Sequence, residues 1–283
     1  MQNNNTVYRP TLVVKADGIA EPFDLAKLHA SLARVGATPE MVALIGEEIE
    51  RELYPGVTTS EIYHRAFTHL REHRQGVAAR YSLKRAVLDF GPSGFPFEAY
   101  LAELFRREGY TATIDQIVQG ACVEHEVDVV MQKGGIKTFV EAKFHNSAGF
   151  KTDLKTVLYV SARIDDIQKT LPHETIGGLV VTNTKFTTKA IQYATCRGLE
   201  LLGWEYPEKG NLHDRIDAAK LYPITALTTL TKKQKTALLE QKKVLCNDLP
   251  HDTDALARVG VRGKKADMVL QEVEALCVPG NDI

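Results

Sequence analysis

The chain is poor in the residues that would divert it from ordinary globular folding. It has only four cysteines in 283 residues, Cys122, Cys196, Cys246 and Cys277. None stands in a C-x-x-C spacing, which argues against a disulfide framework and a four-ligand zinc site. Reduced, mostly buried thiols are the expectation. No apolar run approaches the roughly 18 residues that a membrane span needs. The start, MQNNNTVYRP, lacks the charged and apolar regions of a signal peptide. A cytoplasmic protein without a membrane partner is therefore expected. An excess of charge of either sign is also missing: 35 basic against 36 acidic residues leave a net charge of −1, which argues against a strongly basic coat for non-specific nucleic-acid binding. One local exception is Lys232, Lys233, Lys235, Lys242 and Lys243 around the single Glu240, a cluster able to hold phosphates if it lies on one face.

What is present is a globular composition, 44% hydrophobic and 25% charged, on a chain long enough for two or three domains. Gly91-Pro92-Ser93-Gly94 punctuates it once, and the Pro- and Gly-bearing stretch from Trp204 to Asn211 punctuates it again. The expected division is 1–91, 92–210 and 211–283, with the Asn-rich first five residues frayed.

In the first segment, Thr11–Lys15 and Ile19–Phe23 predict a hairpin around Ala16-Asp17-Gly18. Asp24 predicts a helix N-cap ahead of Leu25, Leu28, Leu32 and Val35. Thr38-Pro39 opens a second helix, Thr58 or Thr59 a third, and Gly76–Asp89 a fourth. His64, His69 and His73 are expected on a solvated helix face. Val14-Lys15-Ala16-Asp17-Gly18, Pro22-Phe23-Asp24, Lys27 and Thr58-Thr59-Ser60-Glu61-Ile62 together resemble the ATP-cone, a nucleotide-binding regulatory domain. The resemblance implies that Val14, Lys15, Lys27 and Thr59 bind ATP or dATP, lysines meeting phosphates and the threonine approaching the base. It departs at Ala16, where many members have a basic residue.

The second segment predicts the order α-β-β-β-α-β-α-β and hence a mixed sheet with helices on its faces. The strands His125–Gln132 and Ile136–Phe144 meet at Gly134-Gly135, a pair suited to a two-residue turn because glycine accepts positive φ. That turn sets Asp128 opposite Glu141 and Glu126 opposite Lys143. Opposed carboxylates repel unless a cation lies between them, and oxygen ligands of this kind suit Mg²⁺ or Mn²⁺. Asp128 and Glu141-Ala142-Lys143, preceded by a helix bearing Glu98, resemble the PD-(D/E)XK nucleases, in particular the Mrr-like restriction endonucleases. Gly94-Phe95-Pro96-Phe97-Glu98 and Val181-Thr182-Asn183-Thr184-Lys185-Phe186-Thr187 extend the resemblance. It implies that Asp128 and Glu141 bind the metal, that Lys143 orients or activates water, and that Glu98 supports the metal or its water. His145, Asn146, Lys151, Lys155 and Gln168 are further residues that could meet a scissile strand.

The last segment reads as short helices around a small core and resembles helix-hairpin-helix DNA-binding modules, with Gly260–Lys265 as the better hairpin. Gln241-Lys242-Lys243 stands where the first hairpin calls for glycine. The whole is expected to be a multidomain α+β chain: a hairpin with a four-helix ATP-cone, a nuclease core with a mixed sheet, and a small all-α tail. Its expected activity is that of a Mg-dependent endonuclease on nucleic acid, DNA before RNA, regulated by nucleotide and assembled as a homo-oligomer. The alternative is a catalytically silent nucleotide sensor that binds nucleic acid or switches its oligomeric state.

Overall fold

Turn and cap chemistry build the first elements as the sequence directs. The computed structural model describes residues 11–15 and 18–277, so the Asn-rich start, Ala16 and Asp17 lie outside the described residues. The chain divides into two compact units, 1–82 and 83–283. In the first, β1 (Leu12–Val14) and β2 (Ala20–Pro22) pair antiparallel. Asp24 caps α1 (Leu25–Arg34) by accepting from the amides of Ala26 and Lys27. Thr38 caps α2 (Pro39–Glu52), whose first residue is the proline that a helix start tolerates. Thr58 and Glu61 form a reciprocal capping box at the head of α3 (Thr59–His73). With α4 (Gln75–Tyr81) these helices bury Leu32, Ile45, Ile49, Ala66 and Leu70 completely. His69 turns to α2, its Nδ1 2.9 Å from Glu48.

The fourth helix is shorter than its apolar pattern predicts. Ser82 interrupts the run, its hydroxyl donating to the Ala79 carbonyl in competition with the backbone ladder. The remainder, α5 (Leu83–Leu88), belongs to the second unit, where the Ala86 carbonyl accepts from Thr225.

The second unit continues with α6 (Phe95–Arg107), then β3 (Thr111–Gln119), β4 (Glu124–Lys133) and β5 (Ile136–Lys143). The short β6 (Lys151–Thr152) leads into α7 (Leu154–Thr170). β7 (Thr175–Thr182), β8 (Lys185–Phe186), α8 (Thr188–Arg197) and β9 (Glu200–Leu202) follow. The five-stranded sheet has the order β3-β4-β5-β7-β9; its first three strands are antiparallel and β5, β7 and β9 run parallel. β6 and β8 form a separate parallel pair. Helix α6 buries Phe97, Tyr100, Leu101, Leu104 and Phe105. The tail comprises α9 (Leu212–Ala219), α10 (Lys232–Glu240), α11 (Thr253–Arg258) and α12 (Lys264–Cys277), with single 3-10 turns at Ile224–Ala226 and Cys246–Asp248. Among the described residues no helix is long and apolar enough to cross a membrane.

Two expectations need correction here. Cys246 is buried and Cys277 partly so, but Cys122, in the β3–β4 turn, and Cys196, in the last turn of α8, are exposed. The five lysines of the tail do not share a face. Lys235 is turned inward and donates to the Thr225 carbonyl, and Lys243 pairs with Asp252. Lys242 sits over the Phe95 ring, and with Lys232 and Asn146 it lines a cleft of about 670 Å³. Lys242 also takes the left-handed φ of 61°, the conformation glycine would adopt most readily at this turn.

Candidate active site and nucleotide site

The two-glycine turn acts as a register device. Gly134 and Gly135 take φ of 60° and 81°, and the rungs run from Lys133–Ile136 to Val129–Val140. At the next position the ladder changes character: the Asp128 side chain, Oδ2, accepts from the Ala142 amide at 2.7 Å. On the other side of β4, Ile114 pairs with Val129 and Gln116 with Val127. Asp115 lies between them with a left-handed φ of 55°. Asp115, Asp128 and Glu141 therefore form a row across three neighbouring strands.

Such a row needs positive charge. Glu141 is buried at 4% exposure, and both its oxygens are engaged: Oε1 lies 2.5 Å from Lys143 Nζ and Oε2 2.5 Å from Arg163 Nη1. Lys143 thus pairs along its own strand, two residues away on the same face, rather than across to Glu126. Arg163, itself buried, reaches in from α7, and its Nη2 donates to the Tyr159 hydroxyl. Compensation is incomplete around the other acids. Burial, followed by the charge of Glu141, raises the Asp128 carboxyl above its usual range. Glu98 is pushed up to about 7, first by burial and then by the charges of Asp128, Asp115, Glu126 and Glu141.

The segment after Lys143 is held from β7 and the turn that follows it. Thr182 donates to the Lys143 carbonyl at 2.9 Å. The fully buried Asn183 accepts from the His145 amide at 2.8 Å and donates to the His145 carbonyl at 2.7 Å. His145 is kept below its ordinary pKa by burial and by Lys143. Of the other predicted contacts, Lys151 and Lys155 are exposed, whereas Gln168 turns inward to the Leu171 carbonyl. The sequence does not by itself mark Arg163 as the partner of Glu141, nor Asn183 as the partner of His145. A signal for the first exists: Arg163 lies three residues after Val160 and four before Ile167, within the buried stripe of α7.

In the first unit, Val14 pairs with Ala20 and bridges to Thr58, next to Thr59. Lys15 Nζ lies 2.6 Å from Glu21, and Lys27 Nζ lies 4.0 Å from Glu21 and 3.7 Å from Asp24. The four predicted nucleotide residues thus gather at the hairpin end and the heads of α1 and α3, with Glu21 between the lysines. Helix N-termini and lysine ammonium groups suit a polyphosphate.

Three family models match consecutive parts of the chain: the ATP cone domain over residues 11–89, restriction endonuclease over 92–205, and AF1548-like, C-terminal, over 222–277. An uncharacterized protein of Archaeoglobus fulgidus is 37% identical over 175 residues, which make up 62% of this chain and 98% of that protein. The crystal structure of AF1548, a protein of unknown function, aligns with a TM-score of 0.54 at 35% identity, covering 64% of this chain and 97% of that one. Can2 of Sulfobacillus thermosulfidooxidans, solved with cyclic tetra-adenylate, reaches a TM-score of 0.34 at 13% identity over 68% of this chain and 52% of that one, a level that establishes no shared fold.

Proposed function

Because the chain belongs to the family of the Archaeoglobus protein and carries an ATP-cone domain ahead of a Mrr-like restriction endonuclease domain, we propose that it is a metal-dependent nuclease. It hydrolyses phosphodiester bonds in nucleic acid, DNA in the first place, and its activity responds to ATP or dATP bound by the first domain. The observation that supports this reading most is the acidic row Asp115–Asp128–Glu141 beside Lys143 and the half-buried Glu98, a field that calls for a cation.

The donor set fits Mg²⁺ or Mn²⁺. No three His, Cys, Asp or Glu side chains among the described residues converge as a ready-made cage, but Mg²⁺ needs only one or two carboxylates when substrate phosphate and water complete its shell. Asp128 and Glu141 would hold it, with Lys143 yielding one oxygen of Glu141. The bound ion supplies polarisation of a phosphoryl oxygen and a more acidic water. Lys143, freed from Glu141, faces the attacked phosphate and stabilises its developing charge. Glu98, half-buried beside these acids on the first turn of α6, would accept a proton from the attacking water. In the first domain, phosphates displace Glu21 from Lys15 and Lys27. Residues 10–90 contain no G-x-x-x-x-G-K-[ST] loop, so the nucleotide is sensed rather than hydrolysed.

Incubation with single- and double-stranded DNA and RNA, with and without Mg²⁺ or Mn²⁺ and ATP or dATP, tests the proposal. Metal-dependent cleavage supports it, and intact substrates under every condition overturn it. One observation favours the second reading, a silent nucleotide sensor: both oxygens of Glu141 are engaged by cationic side chains. That reading predicts nucleotide-dependent nucleic-acid binding or oligomeric change without cleavage.

A further inference from the structure

The loop between β5 and β6 carries a feature that hydrolysis does not use. Phe150 is 60% exposed, an unusual outlay of apolar surface so near a cluster of charges. Its ring lies parallel to that of His145, with an interplanar angle of 8° and centroids 5.8 Å apart. The pair is fixed from both sides. Asn183 grips the His145 backbone through two hydrogen bonds, and the His145 ring Nε2 meets the buried Thr152 hydroxyl at 3.3 Å. Phe150 closes its own turn, its amide donating to the Ser147 carbonyl, and directly precedes β6, which is paired with β8. The Phe150 ring thus lies parallel to, and offset from, an imidazole while most of its side chain remains in solvent.

The surroundings suit a nucleic-acid strand. Lys143 lies two residues before His145. Lys151 and Lys155 follow Phe150 in the chain and are exposed. Tyr159, 55% exposed, is tied to the same acidic cluster through Arg163, which sits over its ring at 4.6 Å. Exposed, rigid aromatic faces interleaved with lysines stack unpaired bases while the cations follow the backbone. A paired duplex offers no free base face to such a ring.

We infer that the Phe150–His145 pair is a stacking platform for an unpaired nucleobase beside the scissile phosphate, so that the preferred substrate is single-stranded or locally unpaired. The inference rests on the nuclease reading for its substrate class. Its test is chosen so that the two can fail separately.

The full chain is titrated with a single-stranded oligonucleotide carrying 2-aminopurine, and with its duplex, in Ca²⁺ so that binding is read without relying on cleavage. Wild type should bind the single strand more tightly and quench the 2-aminopurine. Phe150→Ala should weaken single-strand binding about tenfold, the size of one base stack, and abolish the quench, while duplex binding stays unchanged. Phe150→Trp should restore both. The high exposure of Phe150 keeps the substitution out of the core, and an unchanged melting temperature verifies this. Equal losses on both strand forms, or no loss on either, overturn the platform. Self-association that disappears in Phe150→Ala would also overturn it, by assigning the ring to a second copy of the chain. Binding of neither strand form overturns the nucleic-acid reading itself. Binding that depends on Phe150, without cleavage in Mg²⁺ or Mn²⁺, leaves the platform standing and removes only the catalysis.

Discussion

Arg163 Nη1 lies 2.5 Å from Glu141 Oε2, and both side chains are almost fully buried. The pair links α7 to the middle of the sheet and holds the carboxylate from behind, leaving Oε1 for the more exposed Lys143. The rear oxygen is therefore fixed by a permanent, buried cation. The front oxygen is shared with the partly exposed ammonium of Lys143.

Arg163→Ala should destabilise the protein by about 3 kcal/mol, the lower end of what removing one partner of a buried ion pair costs, because Lys143 still faces Glu141. Urea unfolding in excess chelator measures this. Mn²⁺ should recover part of the loss, since a cation at Glu141 compensates the orphaned charge. Stability equal to wild type would show that the pair contributes nothing net.

Asp128→Asn and Glu141→Gln should abolish cleavage while the fold persists. The first keeps an oxygen acceptor for the Ala142 amide, so loss of activity would reflect loss of charge. Undiminished cleavage by both variants, or by wild type in excess chelator, contradicts the metal assignment.

Lys143→Ala should lower turnover by two orders of magnitude or so, the range of one positioned electrostatic contact, with little change in nucleic-acid affinity. Affinity is summed over many backbone contacts, whereas this ammonium serves one phosphate. Equal losses in rate and affinity would make Lys143 an ordinary phosphate ligand.

These residues differ in how far the sequence exposes them. The side-by-side placement of Asp128, Glu141 and Lys143 was legible because two adjacent glycines set a hairpin register and the strand period does the rest. Thr38, Thr58 and Asp24 were legible as caps because capping is local. Arg163 was not, since its partner lies 22 positions away on a different element and only folding brings them together. Asn183 lay within the Val181–Thr187 stretch of the family resemblance, but its grip on His145 is a contact across 38 residues. The split at Ser82 was missed because the apolar pattern continues through it; the break comes from a side-chain hydroxyl and from the packing of α5 with the second unit.

Nucleotide binding should depend on Lys15 and Lys27. Calorimetry of the full chain with ATP and dATP should show that Lys15→Ala and Lys27→Ala each weaken binding about tenfold, while Glu21→Gln, which removes the competing carboxylate, strengthens it. Unaltered affinity in both lysine variants would move the site elsewhere. Nucleotide and a non-hydrolysable analogue should change cleavage alike, because the sensor acts only through its different affinity for two states of the chain.

Glu98 predicts a pH dependence with a definite sign. Its carboxyl is raised from an ordinary value near 4.5 to about 7, chiefly by burial and then by neighbouring acids. The folded protein therefore keeps a proton between those values that the unfolded chain has released. The associated stability is fully present below about pH 4.5 and is lost as pH rises through 7. In chelator, Glu98→Gln should melt like wild type at pH 4.5 but higher than wild type at pH 8, because the neutral amide is spared the cost of ionising among Asp128, Asp115 and Glu141. Mg²⁺ should narrow the gap at pH 8, since a cation among those acids offsets the same repulsion in the wild type and has less to relieve in the variant. Thermal melts at the two pH values, with and without the metal, decide it. Identical melting temperatures at pH 8 in chelator would mean that Glu98 is already ionised and well solvated, and the role of proton acceptor near neutrality would then have to pass to another group.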